Sequence, residues 1–120
     1  MKLLFFIFVV LCINSCTSYP PIKQGEEGTE TIRSVMLDHT SHFRNCYEKE
    51  LIKDANYVDK CTLYFSIEPD GTVTNTSAKG MKNETVKKCI IDTLNSIKFP
   101  IIENKSRIEI TQPLNFVKKN

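Results

Sequence analysis

The segment Cys61–Ser77 constrains the fold of this chain more than any other stretch. Apolar residues occupy every second position from Cys61 to Ile67, and this period of two predicts a strand with one apolar face. Glu68-Pro69-Asp70-Gly71 then predicts a tight turn, because proline presets φ and glycine accepts the left-handed conformation. Val73 resumes the strand pattern. The centre of the chain is therefore predicted to be a β-hairpin whose apolar face the other elements must cover.

The N-terminus has the pattern of an exported precursor. Lys2 precedes an apolar run from Leu3 to Ile13, which has the length of a signal-peptide hydrophobic region and is too short to span a bilayer. The next residues, Ile13-Asn14-Ser15-Cys16, resemble the lipobox of bacterial lipoproteins, in which the cysteine is lipidated and becomes the new N-terminus. We therefore expect residues 1–15 to be a lipoprotein signal peptide and Cys16 to be the lipid attachment site. The alternative is an ordinary secreted protein in which Cys16 is only a thiol.

The region after the signal peptide is predicted to hold a linker and one small domain. Residues 16–30 contain two prolines and two glycines without periodicity, which predicts a flexible linker. Residues 31–118 remain for the domain. Without Lys2 the chain carries 15 basic and 14 acidic residues, and this balance argues against a nucleic-acid partner, since such proteins concentrate positive charge. By the lipoprotein resemblance, Thr17 in place of aspartate favours the outer membrane, with the domain in the periplasm.

Two amphipathic helices are predicted to cover the hairpin. The first runs from Thr31 to about Lys53, with apolar residues spaced by three and four. The second begins after Asn83, its predicted N-cap, and ends at Phe99-Pro100, because the residue before proline disfavours the helical region.

A last strand completes the predicted sheet. Arg107–Thr111 alternates again, and Pro113 predicts that this strand lies at an edge or ends there. The predicted fold class is α+β with the order α-β-β-α-β. The three strands form an antiparallel sheet with the first hairpin strand in the middle, and both helices pack on one face.

Several short motifs occur in an order that points to a known family. They are His39 with Asn45–Leu51 in the first helix, Phe65–Val73 in the hairpin, Val86–Ile90 and Ile97–Pro100 in the second helix, and Gln112–Phe116 at the end. Over roughly Ile32 to Val117 the chain resembles the AgmX/PglI C-terminal domain family, which is TonB-like in fold. The resemblance implies the same fold, a role in the cell envelope, and partner binding by strand addition.

Three cysteines lie in the predicted domain. Cys46 and Cys89 occupy the buried stripes of the two helices, and an exported domain meets oxidising conditions, so a disulfide between them is expected. The family resemblance implies the same pair; the alternative is two buried free thiols. Cys61 is left over and is expected to pack as a small hydrophobe, with a reactive or intermolecular thiol as the alternative.

The sequence predicts no catalytic residues, no metal site and no cofactor. His39, His42 and Cys46 fall close to one helix face, but a zinc site needs ligands from more than one helix and Cys46 is expected to be bonded. Asp38, His39 and Cys46 supply the residue types of a thiol hydrolase without a glycine-rich loop or nucleophile elbow. We therefore expect a protein that is not an enzyme.

The expected function is a non-catalytic, lipid-anchored periplasmic protein-interaction domain, accessory to an envelope complex of motility or transport. An unidentified envelope protein would add a strand to the predicted edge. The edge residues are Arg107, Ile108, Glu109, Ile110 and Thr111. Tyr64, on the open face of the sheet, is either a docking aromatic or a cross-strand packing partner. The alternative function is a small inhibitor or immunity-type lipoprotein that blocks an enzyme with a loop such as Glu103-Asn104-Lys105.

Overall fold

The computed structural model describes residues 19–117, so the predicted signal peptide and Cys16 lie outside the described residues. The elements in chain order are α1 (Glu26–Asp38), α2 (Thr40–Lys53), β1 (Asp59–Ile67), β2 (Val73–Lys79), α3 (Glu84–Asn95) and β3 (Ile108–Phe116). Because α1 and α2 form one bent helix, the α+β class and the α-β-β-α-β order are confirmed.

The three strands form an antiparallel sheet in the order β2-β1-β3, as predicted. The alternating apolar residues of β1 that the sequence assigns to one face, Cys61, Leu63, Phe65 and Ile67, are all buried in the core. The turn after β1 closes with a hydrogen bond from the Gly71 N–H to the Glu68 carbonyl, 2.8 Å. Gly71 has φ 91°, and a Cβ at this position would lie 2.0 Å from the Phe99 carbonyl oxygen. Tertiary packing therefore excludes any other residue from a turn that local rules already assign to glycine.

The prediction of a single helix from Thr31 to Lys53 is wrong in its details, since the helix begins at Glu26 and bends at His39. In a regular helix the His39 N–H would donate to the Val35 carbonyl. Here the His39 Nδ1 lies 2.9 Å from that carbonyl oxygen, and the His39 N–H donates to Met36 instead, 3.1 Å. A side chain thus takes the place of the backbone donor and bends the helix at this point.

The prediction of a flexible linker through residue 30 is also wrong for its described part, residues 19–30. Ile22 is 1% exposed and belongs to the core. Its N–H donates to the Ile101 carbonyl and its carbonyl accepts from the Glu103 N–H, both at 2.8 Å. Gly28 lets the entering chain cross α1, because a Cβ there would lie 1.7 Å from the Lys23 carbonyl oxygen. The folded domain therefore begins before the predicted boundary at residue 31.

The last strand is longer than predicted, because β3 continues through Pro113 to Phe116. Pro113 lies opposite Thr62 of β1, at a position whose N–H would point away from β1, so its absence removes no hydrogen bond of the sheet.

The second predicted helix, α3, is shorter than predicted. It ends at Asn95, before the predicted Phe99-Pro100 boundary. The predicted N-cap of α3 is confirmed, since the Asn83 side chain accepts from the Val86 N–H at 2.9 Å.

A disulfide joins α2 to α3. Cys46 and Cys89 are bonded, with their Cα atoms 5.7 Å apart, which is the pair that the sequence predicts. Among the described residues Cys61 is the free cysteine, and it is buried on the apolar face of β1. Burial raises the pKa of the Cys61 thiol, and the Asp59 carboxylate raises it further, so the thiol stays protonated and packs as a small apolar group.

A buried carboxylate ties the start of β1 to the start of α3. Asp59 is 5% exposed and accepts hydrogen bonds from the Tyr57 hydroxyl at 2.6 Å and from the backbone N–H groups of Lys60, Lys82 and Asn83 at 2.9 to 3.3 Å. Burial alone would raise the pKa of Asp59, but these hydrogen bonds outweigh it and lower the pKa below its ordinary value. Burial raises the pKa of Tyr57, and its hydrogen bond to Asp59 raises it further.

Replacing the Asp59 carboxylate should destabilise the domain more at neutral pH than at acid pH. We expect Asp59→Asn to lower the free energy of unfolding by roughly 2–3 kcal/mol at pH 7, because charge-assisted hydrogen bonds are lost in a buried site. The folded-state pKa of Asp59 is depressed, so its contribution is present above the unfolded pKa and is lost as pH falls through the folded pKa. Urea denaturation at pH 7 and pH 3 should show the difference between wild type and variant shrinking at pH 3. The control Asp92→Asn, at an exposed ion pair, should change little; an equal Asp59→Asn effect at both pH values would contradict this role.

Candidate functional site

A large open groove lies between the bent helix and β3. We call it the β3 groove. Its walls are α1 and α2 on one side and almost the whole of β3 on the other, and its volume is about 2010 Å³. Small-molecule sites seldom exceed ~1,000 Å³. The size and the open side of the groove suit a segment of polypeptide better than a small ligand.

The groove exists because the helices cover β1 fully and β3 only in part. On the helix-facing side of β1 the apolar residues are fully buried, whereas Ile108, Ile110 and Leu114 of β3 are half-buried. Across the groove, Ile32 and Met36 of α1 are likewise half-buried and point to the same space. Apolar surface on both walls is thus left partly open to solvent.

Two observations fix the direction in which β3 points its backbone groups. In an antiparallel strand, successive residues point their N–H and C=O groups to alternate sides. The Glu68 N–H donates to the Thr72 carbonyl at 2.8 Å. The backbone groups of Glu68 therefore point to β2, and those of the preceding Ile67 point to β3. Ile67 lies opposite Ile108. We infer that Ile108 and every second residue after it point their N–H and C=O groups to β1. The residues between them point these backbone groups outward, away from the sheet.

Pro113 agrees with this assignment, since it falls on an outward position and has no N–H to donate. The N–H groups that remain on the outer side are those of Glu109, Thr111 and Asn115. Within the described residues no strand pairs with this side of β3. The predicted edge at Arg107–Thr111 is therefore an open edge, and it lies in the β3 groove.

The opposite edge of the sheet is less suited to strand addition. The pairing of β1 with β2 shifts by one residue between Tyr64 and Ser66, where Asn75 adopts φ 54° and forms a bulge in β2. Bulges twist an edge and interrupt its row of hydrogen-bonding groups, which discourages pairing with another chain. The β3 edge has a regular register with β1 over its whole length.

The other candidate residues do not converge on a site. Cys46 is held in the disulfide and so offers no thiolate to His39 or His42, whose ring centroids lie 5.7 Å apart. Across residues 19–117, no three histidine, cysteine, aspartate or glutamate side chains are placed to hold one metal ion. Tyr64 is 40% exposed on the open face of the sheet, opposite Thr111 of β3.

Three comparisons with known proteins were made: against family models, curated proteins and solved structures. None of them returned a match. The described part of the chain contains no helix that is both long enough and apolar enough to cross a membrane.

The helical wall of the groove is the part of the site that sequence reasoning missed. Ile32 and Met36 fit the helical apolar stripe, so periodicity assigned them to the core with Val35. Periodicity identifies which side of a helix is apolar and carries no information about how closely that side approaches the sheet. One sequence signal for this partial covering was available. Apolar residues alternate with polar ones along β3, and the polar Gln112 interrupts the side that faces the core.

Proposed function

We propose that this chain is a lipid-anchored, non-catalytic protein-interaction domain of the bacterial cell envelope that captures an extended segment of a partner at the β3 edge. One observation carries the proposal: a strand edge that no other strand of residues 19–117 pairs with lies inside a groove whose opposite wall is partly apolar. Added strands gain main-chain hydrogen bonds from the edge and side-chain contacts from the walls. The resemblance to the AgmX/PglI C-terminal domain family points to the same role as an accessory of an envelope complex.

Position-specific cross-linking tests this proposal directly. A photoreactive amino acid at Thr111, an exposed residue of the β3 edge whose backbone groups face outward, should yield a discrete adduct with an envelope protein in cells. The same group at Lys79, an exposed residue of the bulged β2 edge, is the matched control and should yield none. The side chains of Tyr64 and Thr111 lie opposite each other on the same open face, and an added strand would lie beside β3, away from Tyr64 in the middle strand. Adducts from both Tyr64 and Thr111 would therefore move the binding site to the open face of the sheet.

The proposed anchor would hold the groove close to the membrane. The chain is fixed to the domain at Ile22, so only a few residues separate the fold from Cys16, and even fully extended they span at most about 20 Å. Ile22, which lines one end of the groove, would then stay within that distance of the bilayer.

Removal of the proposed lipid site should release the protein from the membrane. We expect Cys16→Ala to shift the protein from the membrane fraction to the soluble fraction, because two or three acyl chains anchor a protein stably and their loss leaves no equivalent attachment. Fractionation followed by immunoblotting measures this shift, with Cys61→Ala as a control that should stay in the membrane fraction. Membrane association of Cys16→Ala equal to that of the wild type would contradict the anchor.

A further inference from the structure

We propose that Gln112 and Pro113 together close the second half of the β3 edge, residues 112–116, so that an added strand pairs only with the first half, residues 108–111. This inference rests on the proposed function, since it defines which part of the edge accepts a partner strand. Gln112 is then a specificity-determining residue, because it limits the length of the strand that β3 accepts.

Gln112 is the polar exception on the helix-facing side of β3. The other residues on that side are Ile108, Ile110, Leu114 and Phe116. Gln112 lies opposite Leu63 of β1, which is 0% exposed. Packing alone would therefore favour an apolar side chain at this position, and the amide needs another explanation.

The hydrogen bond of the Gln112 side chain supplies that explanation. Its Nε2 donates to the Pro113 carbonyl oxygen at 3.0 Å. Since the Pro113 carbonyl points outward from the sheet, the Gln112 amide lies over the outer edge of β3, where the donor of an added strand would otherwise be. Pro113 also lacks an N–H to donate at this position. Neither backbone group of Pro113 is then available to another strand.

The first half of the edge is left clear by its own side chains. The Glu109 carboxylate accepts a hydrogen bond from the Ser66 hydroxyl at 2.7 Å, and the Arg107 Nε lies 3.0 Å from the Glu68 carboxylate. Ser66 lies in the central strand β1 and Glu68 directly after it. These two long side chains are thus held across the open face, away from the outer edge, and the outward backbone groups of Glu109 and Thr111 stay uncovered.

This difference between the two halves sets the length of the ladder. Glu109 and Thr111 each form one hydrogen-bonded pair with an added antiparallel strand, and two such pairs correspond to about five residues. Asn115 is isolated behind Pro113 and does not continue the ladder. Proteins protect exposed strand edges from unwanted pairing with proline and by covering the edge. Here that protection is confined to one half of β3.

Two main-chain probes test the inference on the full-length chain in lipid nanodiscs. They are synthetic peptides of alternating threonine and valine, of about five and about nine residues, the lengths of half of β3 and of the whole strand. We expect both peptides to bind the wild type with equal affinity, because the extra residues of the longer one find no backbone partners. Fluorescence anisotropy of the labelled peptides measures the affinities.

Opening the second half should create a preference for the longer peptide. The double variant Gln112→Met/Pro113→Val removes the side-chain donor at nearly constant size and supplies the missing N–H. It should bind the longer peptide about tenfold more tightly than the shorter one, because main-chain pairing is restored. Each single variant makes the same comparison and should show a smaller preference. Thermal denaturation checks that the variants fold, as expected, since the backbone bonds between β3 and β1 are kept.

The outcomes separate this inference from the proposed function. Equal preferences in the wild type and the folded variants, whether for the longer peptide or for neither, overturn the closed half and leave strand addition standing. Thr111→Pro should abolish binding of both peptides, because it removes a ladder N–H. Binding that survives Thr111→Pro, or no binding of either peptide, overturns strand addition at β3 and the inference with it.

Discussion

Thr111→Pro should abolish capture of the partner and leave the stability of the domain nearly unchanged, whereas Ile110→Pro, one residue earlier, should destabilise it strongly. Thr111 is exposed and points its N–H into the groove, so its loss removes no internal hydrogen bond. Pro113 shows that this strand already accepts proline at an outward position. The Ile110 N–H points to β1 opposite Phe65, and removing it breaks the ladder and leaves a buried acceptor unpaired, at a cost on the order of 3 kcal/mol.

Thermal denaturation followed by circular dichroism and partner cross-linking through a photoreactive group at Asn115, another outward position, together measure both effects. Glu109→Pro is a second outward variant and should behave like Thr111→Pro. Glu109→Ala and Thr111→Ala keep the N–H groups and should retain capture, since strand addition depends on main-chain hydrogen bonds.

The inhibitor hypothesis makes the opposite prediction. It requires binding that survives Thr111→Pro and is lost when Glu103-Asn104-Lys105 is replaced. These loop residues are exposed, and Lys105 has φ 60°. A folded Thr111→Pro variant that captures the partner as well as the wild type does would refute strand addition at β3.

Loss of the disulfide should produce the largest change in stability. The Cys46–Cys89 bond closes a loop with a sequence separation of 43, which contributes about 4 kcal/mol in the chain-entropy model. For a domain of this size that corresponds to a fall in melting temperature of roughly 20 °C. We expect this fall for the double variant Cys46→Ala/Cys89→Ala and for the wild type under reducing conditions.

The free thiol supplies the control. Cys61→Ala removes a buried sulfur without cutting a cross-link and should cost only about 1 kcal/mol. Mass mapping without reduction should find Cys46 joined to Cys89 and Cys61 unmodified. A melting temperature that reduction leaves unchanged would show that the covalent link adds nothing to the packing of α2 on α3.

The sequence alone determined the elements whose causes are local. The period of two in β1 marked its buried face, the Pro-Asp-Gly turn placed the hairpin, and Asn83 marked the start of α3. Each of these depends on residues within a few positions of one another, so propensity and side-chain alternation were sufficient. The Cys46–Cys89 pair followed as well, because it required only that two apolar stripes cover the same sheet.

The tertiary structure decided where the folded domain begins and where its open surface lies. Glycines and prolines before residue 30 predict a linker, yet Ile22 is buried because the loop at Ile101–Glu103, about 80 residues away in sequence, pairs with it. Pro113 predicts an edge or an end, and only its register opposite Thr62 shows that the strand continues. The β3 groove depends on the distance between α1 and the sheet, which long-range packing sets and no local pattern encodes.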